Sequence, residues 1–277
     1  MTIWQTTRFD IDLSRPRIMG IVNVTPDSFS DGGRHLHAED ALRQCERLIE
    51  DGADILDIGG ESSRPGAPTL SVDEEWARIE PVLRAAVGLN VPVSVDTCKT
   101  EVMRRALDVG VDILNDIRAL QAPGAEALVA QHGRCGVCLM HMKGAPSTMQ
   151  DAPQYPDVVE EVKAFLAERL TRLRHQGVAP ERIVLDPGFG FGKTPEHNIA
   201  LMQRQPELLG LGAPLLVGWS RKSTLGHITG RPVDERMPAS VAAALAGVQL
   251  GARVVRVHDV AATADALKVW RAFGMLR

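Results

Sequence analysis

The sequence predicts an α/β fold: a (β/α)8 barrel preceded by a short N-terminal β-ribbon. Three observations carry this. Eight short β-branched runs alternate with longer helical patterns over about 260 residues, the usual size of such a barrel. Several runs are continuously apolar, as in Ile18-Met19-Gly20-Ile21-Val22, which suits strands covered by helices. Gly52, Gly88, Gly110, Gly177 and Gly251 each follow a helical run, the usual C-terminal stop. An open doubly wound sheet shows the same alternation, so the count leaves closure open.

The elements follow in order. The ribbon is expected over residues 3–13. Strands are expected near 17–23, 54–58, 92–96, 111–115, 136–140, 182–186, 214–218 and 253–257. Helical patterns lie near 39–51, 73–87, 99–109, 124–131, 157–176, 196–205, 238–250 and 261–273. No linker or low-complexity tract divides the chain, so one domain is expected over 1–277. Three connections exceed the ordinary 2–6 residues of an α/β unit: Val24–Ala38, Gly59–Ser71 and His141–Pro156. All three follow strands, where long loops are functional or act as lids.

The residues that end the strands are polar. Strand one ends at Asn23, and strand two passes Asp57 into Gly-Gly-Glu-Ser-Ser63-Arg64-Pro65. Strand three ends at Asp96, four at Asn115-Asp116, five at Met140-His141 and six at Asp186. Strand seven runs into Ser220-Arg221-Lys222-Ser223, and eight into Arg256-Val257-His258-Asp259. One such residue could simply cap a helix; eight strand ends in succession mark a barrel mouth, where active sites are built. The carboxylates and amide of Asp96, Asn115 and Asp186 suit the donor-rich edge of a heterocycle. Arg64, Lys222, Arg256 and His258 suit phosphate. The chemistry points to a phosphorylated, nitrogen-rich small molecule.

Composition removes other classes. The 31 Lys+Arg against 35 Asp+Glu give a net charge of −4, which is no footprint for nucleic acid or an anionic membrane. No apolar stretch nears the ~20 residues that span a bilayer, and no signal pattern opens the chain. Four cysteines make no disulfide framework, so a reduced, cytoplasmic protein is expected. Cys135 and Cys138 have the spacing of half a zinc knuckle but lie in an apolar strand, as core thiols. His35 and His37 read as solvated loop residues. The run Gly188-Phe-Gly-Phe-Gly-Lys193 has neither P-loop nor Rossmann spacing; its glycines are expected to let backbone approach a flat ligand.

These residues resemble the signatures of the dihydropteroate synthase family. The first is Met19-Gly-Ile-Val-Asn23-Val-Thr-Pro-Asp-Ser-Phe29-Ser-Asp31-Gly-Gly33, and the second Gly59-Gly-Glu-Ser-Ser63-Arg64-Pro65-Gly66. Ser94–Thr97, Asn115–Arg118, Leu139–Met142, Leu185–Gly192, Ser220–Ser223 and Arg256–Asp259 follow in order. The resemblance spans about residues 9–270 and is long enough that chance matching is negligible. It implies a (β/α)8 transferase joining 6-hydroxymethyl-7,8-dihydropterin diphosphate to 4-aminobenzoate, giving 7,8-dihydropteroate and diphosphate.

By that resemblance Asp31, Asp96, Asp186 and Lys222 are the catalytic candidates. Asp96, Asn115, Asp186 and Lys222 would hold the pterin edge, with Met140 beside them. Arg256 would lie across the pterin face and, with His258, Asn23 and Ser63, address the diphosphate. Asn23 would be the protein ligand to Mg²⁺. Phe29, Arg64, Pro65, Phe191 and Ser223 would shape the aminobenzoate site, the substrate carboxylate meeting Ser223 and the start of the next helix. A homodimer is implied. The chain departs from the family pattern at Ser63, where Thr is usual, at Cys98, where Ser is usual, and at Trp219, where smaller or unbranched apolar residues are common. Two other readings share the resemblance: a non-catalytic pterin-binding paralogue, which would tend to lose loop residues, and a pterin-dependent methyltransferase, which would not need the two long loops. A structural assembly protein would not need eight polar strand ends.

Overall fold

The computed structural model describes residues 3–24, 34–62 and 69–276, with backbone alone at 34–37. Eight parallel strands close into a barrel: β3 (Arg17–Asn23), β4 (Ile55–Gly59), β5 (Val93–Asp96), β6 (Ile113–Asp116), β7 (Gly136–Met140), β8 (Ile183–Asp186), β9 (Leu215–Val217) and β10 (Ala252–Val257). Strand β10 pairs back onto β3, matching Val255 to Ile18 and Val257 to Gly20. Closure decides against the open sheet. The expected strand positions agree with those observed to within two residues.

An antiparallel ribbon, β1 (Ile3–Gln5) with β2 (Asp10–Asp12), precedes the barrel. Its Trp4 and Ile11, with Leu13 just beyond, join the apolar cluster inside the barrel. The indole Nε1 of Trp4 donates to the Arg182 carbonyl at 3.0 Å, just before β8. The ribbon thus plugs the end where the strands begin and leaves the opposite end free.

Strand side chains alternate between two apolar clusters. Ile18, Val22, Leu56, Ile58, Val93, Val95, Leu114, Val137, Leu139, Leu185, Val217 and Val255 pack outward beneath the helices. Met19, Ile55, Ile113, Cys138, Val184, Leu216 and Val254 point inward. Burial on both faces is why the strands read as unbroken apolar runs.

The helices are α1 (Arg34–Glu50), α2 (Val72–Ala86), α3 (Thr100–Asp108), α4 (Ala125–His132), α5 (Val158–His175), α6 (Pro195–Gln203), α7 (Ser223–Thr229), α8 (Met237–Gln249) and α9 (Val260–Ala272). Two differ from expectation. Helix α1 starts five residues early, so His35 and His37 lie in a helix and not in a loop. Helix α7 is additional; at 7 residues with Gly226 inside it, its periodic signal is too short to read. Among the described residues no helix is long and apolar enough to cross a membrane.

Candidate active site

One step of two residues along most strands changes the barrel interior from apolar to polar, with Met140 and Gly218 as exceptions. Above Ile55 stands Asp57, above Ile113 Asn115, above Cys138 Met140, above Val184 Asp186, above Leu216 Gly218, and above Val254 Arg256. Asp96 closes the ring on β5. The centre is an ion network. Arg256 donates from Nε to Asp57 Oδ2 at 2.6 Å and from Nη2 to Asp96 Oδ2 at 2.7 Å. Asn115 Nδ2 also donates to Asp57 Oδ2, at 3.1 Å. Asp57 is fully buried, and its Oδ1 has no hydrogen-bond partner among the described residues. Burial pushes the Asp96 carboxyl well above the usual carboxylate range; Arg256 pulls it back, and Asp57 adds to the rise.

Asp57 is the working residue that the sequence reading left without a role. It lies inside the run Ile55-Leu-Asp-Ile-Gly59, one turn of the pleat before the strand's end. Its signal was a charge on the inward parity of an otherwise apolar strand, and no chain folds that way unless the charge has partners inside.

The far side of the mouth holds the second group. Asp186 Oδ1 accepts from the Gly188 backbone N–H at 2.7 Å. Burial raises its carboxyl, while that hydrogen bond and the charge of Lys222 oppose the rise. Burial, and then the nearby Arg256 charge, push the Lys222 amine down to about 8. The Lys222 Nζ stands 4.1 Å from the Phe191 ring centroid, a cation–π contact. Lys222 and Asp186 therefore face one region, as the sequence reading required. Arg221 turns away: its φ is +59° and its guanidinium pairs with Asp259 at 2.6 Å.

The glycines of the run Gly188–Gly192 also meet a neighbouring loop. Gly188, Gly190 and Gly192 all have positive φ. A Cβ on Gly188 would stand 1.9 Å from the His141 carbonyl oxygen, and one on Gly192 would stand 2.4 Å from that of Lys143. At Gly188 and Gly192 the backbone approaches the loop after β7. That loop is tied down: Gln150 Nε2 donates to Gly190 O and Tyr155 OH to Gly192 O, each at 2.7 Å. Of the three long connections, this one is a clasp and not a lid.

At the rim, His258 Nδ1 lies 2.9 Å from Ser220 Oγ. Burial, then Arg256, lower the imidazole to about 3, so it is neutral at physiological pH. Asn23 ends β3 on the inward parity of Met19 and Ile21. Ser223 opens α7, exposed beside Lys222. Met140 is buried, its Cγ near Gly188. Trp219 is buried too, its ring centroid 4.4 Å from that of Phe189 in the loop after β8. Phe29, Asp31, Ser63, Arg64 and Pro65 lie outside the described residues. The root of the second long loop is described: Lys99 bonds Glu61 and also Glu75, the latter at 2.5 Å.

Residues 19–258 match the family model described as "Pterin binding enzyme". The chain is 56% identical to the dihydropteroate synthase of Neisseria meningitidis serogroup B over 279 residues, 99% of this chain and 98% of that one. The chain belongs to the dihydropteroate synthase family. Dihydropteroate synthase of Xanthomonas albilineans, solved with 4-aminobenzoic acid, superposes with a TM-score of 0.91 at 50% identity, covering 97% of this chain and 96% of that one. That of Burkholderia cenocepacia, solved with 7,8-dihydropteroate, gives 0.89 at 49%, covering 99% and 96%. The family makes this chain a transferase of folate biosynthesis.

Proposed function

We propose that the inward residues of the mouth divide the dihydropteroate synthase reaction as follows. Asp96, Asn115 and Asp186 accept from and donate to the edge of the dihydropterin, and Met140 packs beside it. Lys222 donates to a ring atom. Arg256, held by Asp57 and Asp96, faces the pterin and with His258 meets the diphosphate. Phe191 and Ser223 shape the 4-aminobenzoate side, together with Phe29, Arg64 and Pro65 of the two signature loops; Ser63 of the same loops meets the diphosphate, and Asp31 is a catalytic residue.

Asn23 fits a Mg²⁺ ligand. It offers one amide oxygen at the mouth, on the strand beside the one carrying Arg256 and His258. Mg²⁺ usually keeps several waters, so one protein oxygen suffices; when bound it would neutralise charge on the leaving diphosphate. The protein's own residues do the rest. The C–O bond to diphosphate breaks and its electron pair leaves with the diphosphate, under the donors of Arg256. The methylene cation that remains is conjugated with the pterin, and the carboxylates of Asp96 and Asp186 favour it. The aminobenzoate nitrogen then supplies its lone pair to form the C–N bond. The resulting anilinium gives its proton to water, so no strong base is required.

The carrying observation is the Asp57–Arg256–Asp96 network with Asn115 on its edge: charge buried at a barrel mouth, with acceptors left for a ligand. The test is turnover of dihydropterin diphosphate with 4-aminobenzoate, read as dihydropteroate formed and diphosphate released. A folded protein that binds pterin but releases no diphosphate would be a non-catalytic paralogue. Membership of the family supports reading the protein as a cytoplasmic homodimer.

A further inference from the structure

Three glycines around Phe191 leave its turn with little conformational preference of its own, so something outside the turn has to hold it. That something includes a buried amine that the reaction above does not use. Lys193 follows the glycine run and is only 2% exposed. Its Nζ donates to the carbonyls of Gly188 at 2.9 Å and Phe191 at 3.1 Å. It lies 2.9 Å from His141 Nδ1. Burial lowers this amine to about 7; as an ammonium it has three protons, which these three acceptors can take, with the His141 carbonyl also 3.4 Å away. Burial, then the charge of Lys193 itself, push the His141 imidazole down to about 2, so the ring is neutral and Nδ1 can accept. The Phe165 ring meets the imidazole edge-on at 5.0 Å and fixes it in turn.

The amine therefore binds the start of the turn, the backbone of Phe191 and the residue after β7 in one knot. Gln150 and Tyr155 tie the carbonyls of Gly190 and Gly192 from the same neighbouring loop. The Phe191 side chain is the part this clasp presents to the mouth, beneath the Lys222 ammonium. Burying an amine costs desolvation that an apolar side chain of the same length would not incur. A lysine here is explained by the three carbonyl and imidazole contacts, not by space-filling.

We propose that Lys193 is a positioning residue: it sets the aromatic face of Phe191 against Lys222 and so fixes the aminobenzoate side of the site, touching neither substrate. This rests on the reading of Phe191 as an aminobenzoate wall. The test compares steady-state kinetics of the full-length protein with those of Lys193→Met, which keeps length and loses the donors. The expected result is a KM for 4-aminobenzoate raised about tenfold, because misplacing a contact surface by a fraction of an ångström is enough. The KM for the pterin diphosphate should rise clearly less, since Asp96 and Asn115 stand clear of the turn, whereas Asp186 meets it through the Gly188 N–H and Lys222 through the Phe191 ring. If both KM values rise alike, or only the melting temperature falls, Lys193 is structural and the proposal is overturned. If Lys193→Met does not fold, the double variant Gln150→Ala, Tyr155→Phe decides: a selective rise in the aminobenzoate KM upholds the clasp, and unchanged constants overturn it. Wild-type protein without turnover would instead defeat the functional reading, and this inference with it.

Discussion

The floor and the mouth of the barrel are built on the same strands, two residues apart, or about 6.6 Å at strand spacing. On the floor, Ile55, Ile113, Val184, Leu216 and Val254 meet the ribbon's Trp4 and Ile11. In the mouth, Asp57, Asn115, Asp186 and Arg256 meet one another. The floor is stabilised by area removed from water, and any well-packed apolar set would serve. The mouth holds three carboxylates against two cations, and their burial is unfavourable unless each finds a partner. The difference teaches where stability and function separate: changes below should cost folding free energy, and changes above should cost binding and rate.

Asp57→Ala should break that division hardest. It strips Arg256 Nε and Asn115 of their shared acceptor, and removing one partner of a buried pair costs about 3–5 kcal/mol. With Asn115 freed and Arg256 held only by Asp96, kcat/KM should fall by at least ~100-fold. Calorimetry with a pterin and initial-rate kinetics check it; near-normal rates would mean that Asp96 alone is enough to hold Arg256. Leu216→Ala is the matching change on the floor, with only Gly218 above it. Loss of a buried leucine costs about 2–5 kcal/mol of stability, read as a shifted urea midpoint, while KM for both substrates stays unchanged. Altered KM values there would show that floor and mouth are coupled.

The same two layers explain what the sequence made legible. Polar residues that end apolar runs stand out, so Asp96, Asn115, Asp186, Lys222, Arg256 and His258 were readable as one mouth. Asp57 stood among them but drew no role, because it interrupts a strand that continues apolar past it to Ile58. The run Gly188–Gly192 displayed its need for positive φ but not its neighbour: contact with His141 and Lys143 comes from strand adjacency, which spacing does not encode. Lys193 looked like a failed P-loop lysine for the same reason. Helix α7 is too short to have a period.

A smaller effect, on pH, separates the two cations of the mouth. Arg256 stays charged at any working pH. Lys222 does not, since burial first and Arg256 second lower its amine to about 8. Below that value the ammonium can donate to the pterin; above it the donor charge is lost, so affinity should fall as pH rises past about 8, by at most ~tenfold per unit. Lys222→Met should bind weakly and without that limb. For folding the sign is opposite. Between about 8 and the amine's ordinary 10.5 the unfolded chain holds a proton that the folded one has released, so this group makes stability rise with pH there. A pterin affinity flat from pH 7 to 9.5 would remove Lys222 from the binding edge.

The smallest effect belongs to the residue next door, and it tests why the two side chains diverge. Arg221 has a left-handed φ of +59°. Its N–H is held by Ser240 Oγ at 2.9 Å and its carbonyl by Arg236 Nη1 at 3.2 Å. The backbone is thus clamped from both sides, and that reversal sends Lys222 inward and Arg221 out to Asp259. Arg221→Ala and Arg221→Gly both lose the partly exposed ion pair, worth at most ~1 kcal/mol. Only glycine also relieves the left-handed strain, about 1–2 kcal/mol for a residue with a Cβ, partly offset by its freer unfolded chain. Arg221→Gly should therefore be more stable than Arg221→Ala by about 1 kcal/mol in urea titration, with kcat/KM of both close to that of the unmodified protein. If Arg221→Ala instead loses activity on the scale of Lys222→Met, the outward side chain reaches the reaction after all, and the boundary between mouth and rim must be moved by one residue.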